Sequence, residues 1–173
     1  SQALSPSSGV RIAIQKRNTM SRVFFWFIQV RKTGERTADD EIKLEGIKMK
    51  ERYIFFIGLI DTLDLYTEEF VEIFTGQGRE CLVLDAGNME DAWVQLKAFL
   101  LEPVAGVISF NNIGLHLEIE DGINIWDRYQ IPFYNILMDH PFHYKKALDT
   151  APQQMILLCM DQNHIEYVKR FYP

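Results

Sequence analysis

A chain of 173 residues, 47% hydrophobic and 24% charged, is long enough to bury one sizeable core and short for two. Its net charge of -6 conceals two unlike parts: residues 1–50 hold ten Lys/Arg against five Asp/Glu, and residues 51–173 hold eight against nineteen. The second part is strongly acidic, which argues against non-specific nucleic-acid binding, because that needs a basic face to displace counterions from phosphates.

Cys81 and Cys159 lie inside apolar runs, CLVLDA and MILLCMD, and read as buried free thiols in a reducing, cytoplasmic compartment. No membrane span is expected, since the apolar stretch Val23–Ile28 is far below the ~20 residues that a membrane helix requires. Gln29, Val30, Arg31 and Lys32 follow it, where a secretory signal would carry a small-residue cleavage site.

Residues 1–48 open on SQALSPSSG, pass through a basic patch (Arg11, Lys16, Arg17, Arg22), and end in the polar stretch RKTGERTADDE. No helical or alternating pattern persists there, so the segment reads as a poorly structured leader or upstream read-through, with Met49 as the natural start. A short strand over Val23–Val30, pairing with a sheet edge, is the alternative.

From Tyr53 the pattern becomes regular. Tyr53–Ile60 is a continuous apolar run of strand length, as expected for a strand covered on both faces. Leu63, Tyr66, Phe70, Val71 and Phe74 then recur at helical spacing until Gly76 and Gly78 stop them. Cys81–Leu84 reads as the second strand and Glu90–Leu101 as the second helix, stopped by Pro103. Val104–Phe110 is the third strand, Ile123–Tyr129 a short helix and Phe133–Met138 the fourth strand. Phe142–Leu148 is a short helix, Met155–Met160 the fifth strand and Asn163–Phe171 the closing helix. Strands alternating with helices imply an α/β, Rossmann-like doubly wound, mostly parallel five-stranded sheet over residues 49–173, with helices on both faces. Strand orders 2-1-3-4-5 and 3-2-1-4-5 both fit.

The carboxyl ends of the strands in such a sheet face one rim, where ligands bind. Those ends carry Asp61, Asp85, Asn111 with Asn112, Asp139 with His140, and Asp161 with His164 nearby. Asp61, Asp85 and Asp161 taken singly read as helix caps. The run Asp139-His140-Pro141-Phe142-His143-Tyr144 holds more polar and aromatic groups than a cap needs. Three readings compete for it: a polar clamp for a polyhydroxyl ligand, a general base, and a metal site using His140, His143 and Asp161 or His164. No metal-ligand spacing such as HExxH is present, so no metal is assigned. A dinucleotide fingerprint, a phosphate-binding GxxxxGK[ST] loop and a GxSxG elbow are also missing, and the chain calls for no cofactor.

Gly122-Ile123-Asn124-Ile125-Trp126-Asp127, Gln130-Ile131-Pro132, Met138-Asp139-His140-Pro141, Cys159-Met160-Asp161-Gln162-Asn163-His164 and the terminal Phe171-Tyr172-Pro173 form a set. With these, residues 50–173 resemble the N-terminal domain of bacterial glycosyltransferase-like proteins of the GT-B fold, the spore-maturation-type and surface-glycan group. The resemblance implies the acceptor-side half of a two-domain sugar transferase, acting on a glycan or protein acceptor. The nucleotide-sugar donor would be held by a C-terminal domain missing from this chain, which as a fragment would be inactive alone. It implies that Asp139, His140 and the Asn111-Asn112 turn line the cleft but matches no catalytic base. The full candidate substrate-binding set is Asn111, Asn112, Asp139, His140, His143 and Asp161, with Asp139 and His140 as the catalytic candidates. The alternative is a stand-alone flavodoxin-like ligand-binding or signalling module without catalysis. A phosphorylatable receiver is a weak version of it, because the third strand ends in Asn111-Asn112 rather than Asp.

Overall fold

The computed structural model describes residues 11–13, 50–119 and 122–172; the Val23–Val30 strand and the Met49 start lie outside the described residues. Six strands form one sheet: β1 (Arg11–Ala13), β2 (Arg52–Ile57), β3 (Glu80–Asp85), β4 (Gly106–Phe110), β5 (Phe133–Leu137) and β6 (Met155–Cys159). The helices are α1 (Asp61–Gly76), α2 (Met89–Phe99), α3 (Ile125–Arg128), α4 (Lys145–Asp149) and α5 (Gln162–Phe171), with a 3-10 turn at Pro141–Tyr144. The sheet order is β1-β6-β5-β4-β2-β3 and every pairing is parallel.

Numbered without β1, the five expected strands stand in the order 2-1-3-4-5, and they make the doubly wound α/β fold read from the sequence. The N-terminal segment, expected to share no core, contributes one short edge strand. Arg11–Ala13 runs beside β6, with Ile12 opposite Leu157.

Side-chain alternation along β2 explains the two helical layers. Tyr53 and Phe55 point to the face covered by α1, where Phe74 meets them edge-on at centroid distances of 4.8 and 5.5 Å. Arg52 and Phe56 point to the opposite face. Arg52 donates to the Phe99 carbonyl at the end of α2 (2.8 Å), and its guanidinium lies 3.7 Å over the Phe99 ring. Phe56 meets Trp126 of α3, which also packs on Phe133.

Strand β2 ends at Ile57, three residues short of the expected Ile60, because the chain turns at Gly58 (φ 93). The Gly58 N–H leaves the ladder direction and donates to Asp64 Oδ2 in the first turn of α1 (3.0 Å). A Cβ there would collide with the Asp85 carboxylate, so only glycine fits.

The crevice at the strand-order reversal, between β2 and β4, is closed by the loop that follows β4. Gly114 (φ 72) lies flat on the Phe56 ring, and its carbonyl accepts from Trp126 Nε1 at 2.8 Å. Gly114→Ala would put a methyl into the Phe56 ring and force a left-handed conformation on an L-residue. Loss of at least about 2 kcal/mol is expected in urea denaturation at unchanged m value.

Candidate functional site

Strand β4 ends in two successive left-handed residues, Asn111 (φ 47) and Asn112 (φ 65). Asparagine tolerates that region better than other side chains, yet two in a row must be held from outside. Asn135 does this from the middle of β5. It is fully buried, and its Oδ1 accepts from the Asn112 N–H at 3.0 Å. Its Nδ2 donates to Asn112 Oδ1 (2.5 Å) and faces Met155 Sδ at 3.9 Å.

The turn held in this way presents Asn111 to the neighbouring strand end. Asn111 Oδ1 accepts from the Met138 N–H, and Asn111 Nδ2 donates to Asp139 Oδ2, both at 2.9 Å. Tyr144 donates its hydroxyl to the same Asp139 oxygen at 2.9 Å. Burial, the bond to Asp139 and that carboxylate's charge push the Tyr144 phenol up to about 12, so it stays a proton donor. The Asp139 side chain is exposed, and both of these bonds fall on Oδ2.

His140 caps the 3-10 turn, its Nδ1 accepting from the Phe142 N–H at 3.1 Å. A neutral imidazole that accepts at Nδ1 carries its proton on Nε2. His140 therefore offers a donor, and the general-base reading of this turn falls to the Asp139 carboxylate. The His140 ring meets those of His164 and Tyr167 edge-on, each at 4.9 Å. Nδ1 of His164 and Nδ2 of Asn112 are buried without a hydrogen-bond partner among the described residues. Burial depresses the His164 pKa, the His140 charge adds to this, and Asp161 and Asp139 oppose it.

Of the six expected binding residues, Asn111 and Asp139 are directly bonded, and Asn112 is locked beneath them. His140 adjoins Asp139. His143 is exposed beside Phe142, with ring centroids 5.9 Å apart. Asp161 is the N-cap of α5 and accepts from the Asn163 N–H at 2.7 Å, as read.

Asp61 and Asp85, also read as caps, are not. Asp61 is the first residue of α1 after Ile60, and no side chain caps that helix. Asp85 bonds the Gly87 N–H two residues on (2.8 Å), and α2 starts only after Asn88, too late for Asp85 to cap it. Both sit at the β2–β3 end of the rim, with β4 between them and Asp139.

Three features escaped the sequence reading. Asn135 was signalled by its place as the one amide inside the otherwise unbroken strand FYNIL. A cleft of about 490 Å³ opens between the loop after β4 and α4, lined by His116, Glu118, Asn124, Lys146 and Thr150. No local pattern pointed to it, because its walls come from separate segments. Cys81, read as buried, is half-buried on the edge strand β3, while Cys159 is buried and its thiol is pushed up to about 12. Both thiols are free.

Among the described residues, no group of three or more His, Cys, Asp or Glu is placed to hold a metal ion. No helix among them is long and apolar enough to cross a membrane. Fold and site together define a Rossmann-like α/β domain with a hydrogen-bonded carboxylate at the carboxyl rim. No family model, curated protein or solved structure matches the chain.

Two measurements check this site. Asn135→Leu strips the Asn112 N–H of its buried acceptor and should cost about 1–3 kcal/mol in urea denaturation, with amide shifts at Asn111, Asn112 and Asp139. His164 has a folded pKa below its ordinary value of 6.5, so the unfolded chain binds the extra proton. Its contribution is present above about 6.5 and fades as pH falls through that value. The melting temperature should drop between about pH 7.5 and about pH 5.5, and drop less in His164→Phe.

Proposed function

We propose that this domain is the acceptor-binding side of a GT-B-type glycosyltransferase, holding a glycan or glycoprotein acceptor at the Asp139–His140 turn. The observation that carries the reading is the pairing of an exposed carboxylate with an adjacent imidazole donor. Asp139 Oδ2 is occupied by Asn111 and Tyr144, which aims the carboxylate and leaves Oδ1 to accept from a sugar hydroxyl. Nε2 of His140 donates to a neighbouring hydroxyl oxygen, so the pair matches a diol. Exposed rings at Phe142 and half-buried ones at Tyr167 supply the apolar surface on which a sugar face stacks.

The opposite end of the rim supports an acceptor role over a donor role. A nucleotide-binding loop offers free N–H groups to phosphates at a helix N-terminus. Here the Gly58 N–H is already taken by Asp64, and Asp61 adds a second carboxylate to the first turn of α1. A nucleotide-sugar donor then belongs on a second, C-terminal domain, and this domain alone transfers nothing.

In the two-domain protein, Asp139→Asn should cut transfer at least tenfold, about 1.4 kcal/mol, and His140→Ala should raise KM. A folded Asp139→Asn variant with undiminished transfer would refute the assignment. The strand order 2-1-3-4-5 favours a second reading, a flavodoxin-like ligand-binding or signalling module. That module would catalyse no transfer and need no second domain, so absence of sugar transfer by the full-length protein, with the domain folded, would favour it.

A further inference from the structure

We infer that the glycan taken by this rim is anionic, of the uronic-acid-bearing kind; this rests on the acceptor reading above. Residues 51–173 contain eight Lys/Arg, and four of them, Lys145, Lys146, Lys169 and Arg170, lie on α4 and α5. These two helices meet beside the Asp139 turn. Tyr172, at the end of α5, donates to the Lys145 carbonyl at 3.3 Å, and the Phe142 ring faces Tyr167 at 6.5 Å. The rest of the domain is acidic, and α1 holds five carboxylates without one Lys or Arg. Within residues 51–173 the other four cations are dispersed, Arg52 and Arg79 being paired with Glu80 and Glu51 while Lys97 and Arg128 lie on α2 and α3, so the cations of this domain cluster here.

Of the four carboxylates on these elements, Asp139 and Asp161 are bonded to Asn111, Tyr144 and the Asn163 N–H, and two pair with the cations. Asp149 pairs with Lys145 at 2.7 Å and Glu166 with Lys169 at 3.8 Å, but both pairs are exposed and lie within one helix. Such pairs are weak and open readily to a ligand carboxylate. Lys146 and Arg170 are exposed and form neither of these bridges; Lys146 lines the cleft beside α4, and Arg170 lies 5.6 Å over the Phe171 ring.

Rings run between the charges. Phe142 and Phe171 are 63% and 53% exposed, with Tyr167 between them, edge-on to Phe142 and tilted against Phe171. Spaced lysines with interleaved rings suit a chain that repeats one charge and one apolar sugar face per unit. Single-stranded RNA also combines negative charge with flat faces, but its denser phosphates meet more of the acidic surface.

Titration calorimetry of the full chain with oligogalacturonate, with maltooligosaccharide of equal length and with oligouridylate tests the inference. The acidic glycan should bind at least about tenfold more tightly than the neutral one, and added salt should erode that difference. Lys146→Gln with Arg170→Gln should bring the acidic probe down to the neutral probe's affinity, and near-UV circular dichroism should confirm the fold. Equal binding of the two glycans, or a preference that survives the double substitution, overturns the inference while the acceptor reading stands. Binding of neither glycan overturns both. Tighter binding of oligouridylate than of oligogalacturonate overturns the anionic-glycan assignment in favour of a nucleic acid.

Discussion

The carboxyl rim depends on one buried amide. Asn135 lies in a strand whose other residues are all buried and apolar or aromatic, where an unbonded polar group would cost several kcal/mol. It is tolerated because both ends of the amide are used, one accepting from the Asn112 backbone and the other donating to its side chain. No apolar side chain of the same size could hold the Asn111-Asn112 turn in its left-handed conformation. Without that turn Asn111 loses its grip on Met138 and Asp139. A residue on the inner face of β5 therefore positions a carboxylate on the outer rim.

That arrangement divides the rim electrostatically along the strand order. At the β2–β3 end the protein's own carboxylates fill the space where a nucleotide-binding domain would keep glycine amides free. Asp64 takes the Gly58 N–H, and Asp85 takes the Gly87 N–H while crowding Gly58. At the β5–β6 end stand three of the four histidines and the two lysine-bearing helices. The crevice between β4 and β2, where doubly wound sheets commonly admit ligands, is closed by Gly114 on Phe56 and sealed by Trp126. The open polar side chains of the rim are thus displaced from the switch point toward β5.

Much of this was legible in the residues and some was not, for physical reasons. Apolar runs such as Tyr53–Phe56 and Phe133–Leu137 betray fully covered parallel strands, because burial on both faces leaves no polar alternation. Their ends were placed less well where a single backbone turn decides them, as at Gly58. Residues Asp61 and Asp85 fit a capping pattern, yet Asp61 already lies inside the first turn of α1, and Asp85 lies four positions before α2, too far to cap it. The strand Arg11–Ala13 is too short to show any period. The Asn111–Asp139 contact joins residues 28 apart, and nothing local in the chain announces it.

Rigidity follows from the same network and bears on binding. Asp139 is held by Asn111 and Tyr144, while His140 is pinned by its bond to the Phe142 N–H and by Pro141 at the start of the 3-10 turn. A ligand meeting these two side chains need not order them, so little of its binding free energy is lost to conformational entropy. The same bonds fix the chemistry. While the turn stands, Nδ1 of His140 is occupied by the Phe142 N–H, and Asp139 keeps one oxygen for incoming donors. An acceptor and a donor on adjacent residues, each restrained by its own partner, give the fixed geometry on which the proposed recognition of vicinal hydroxyls rests.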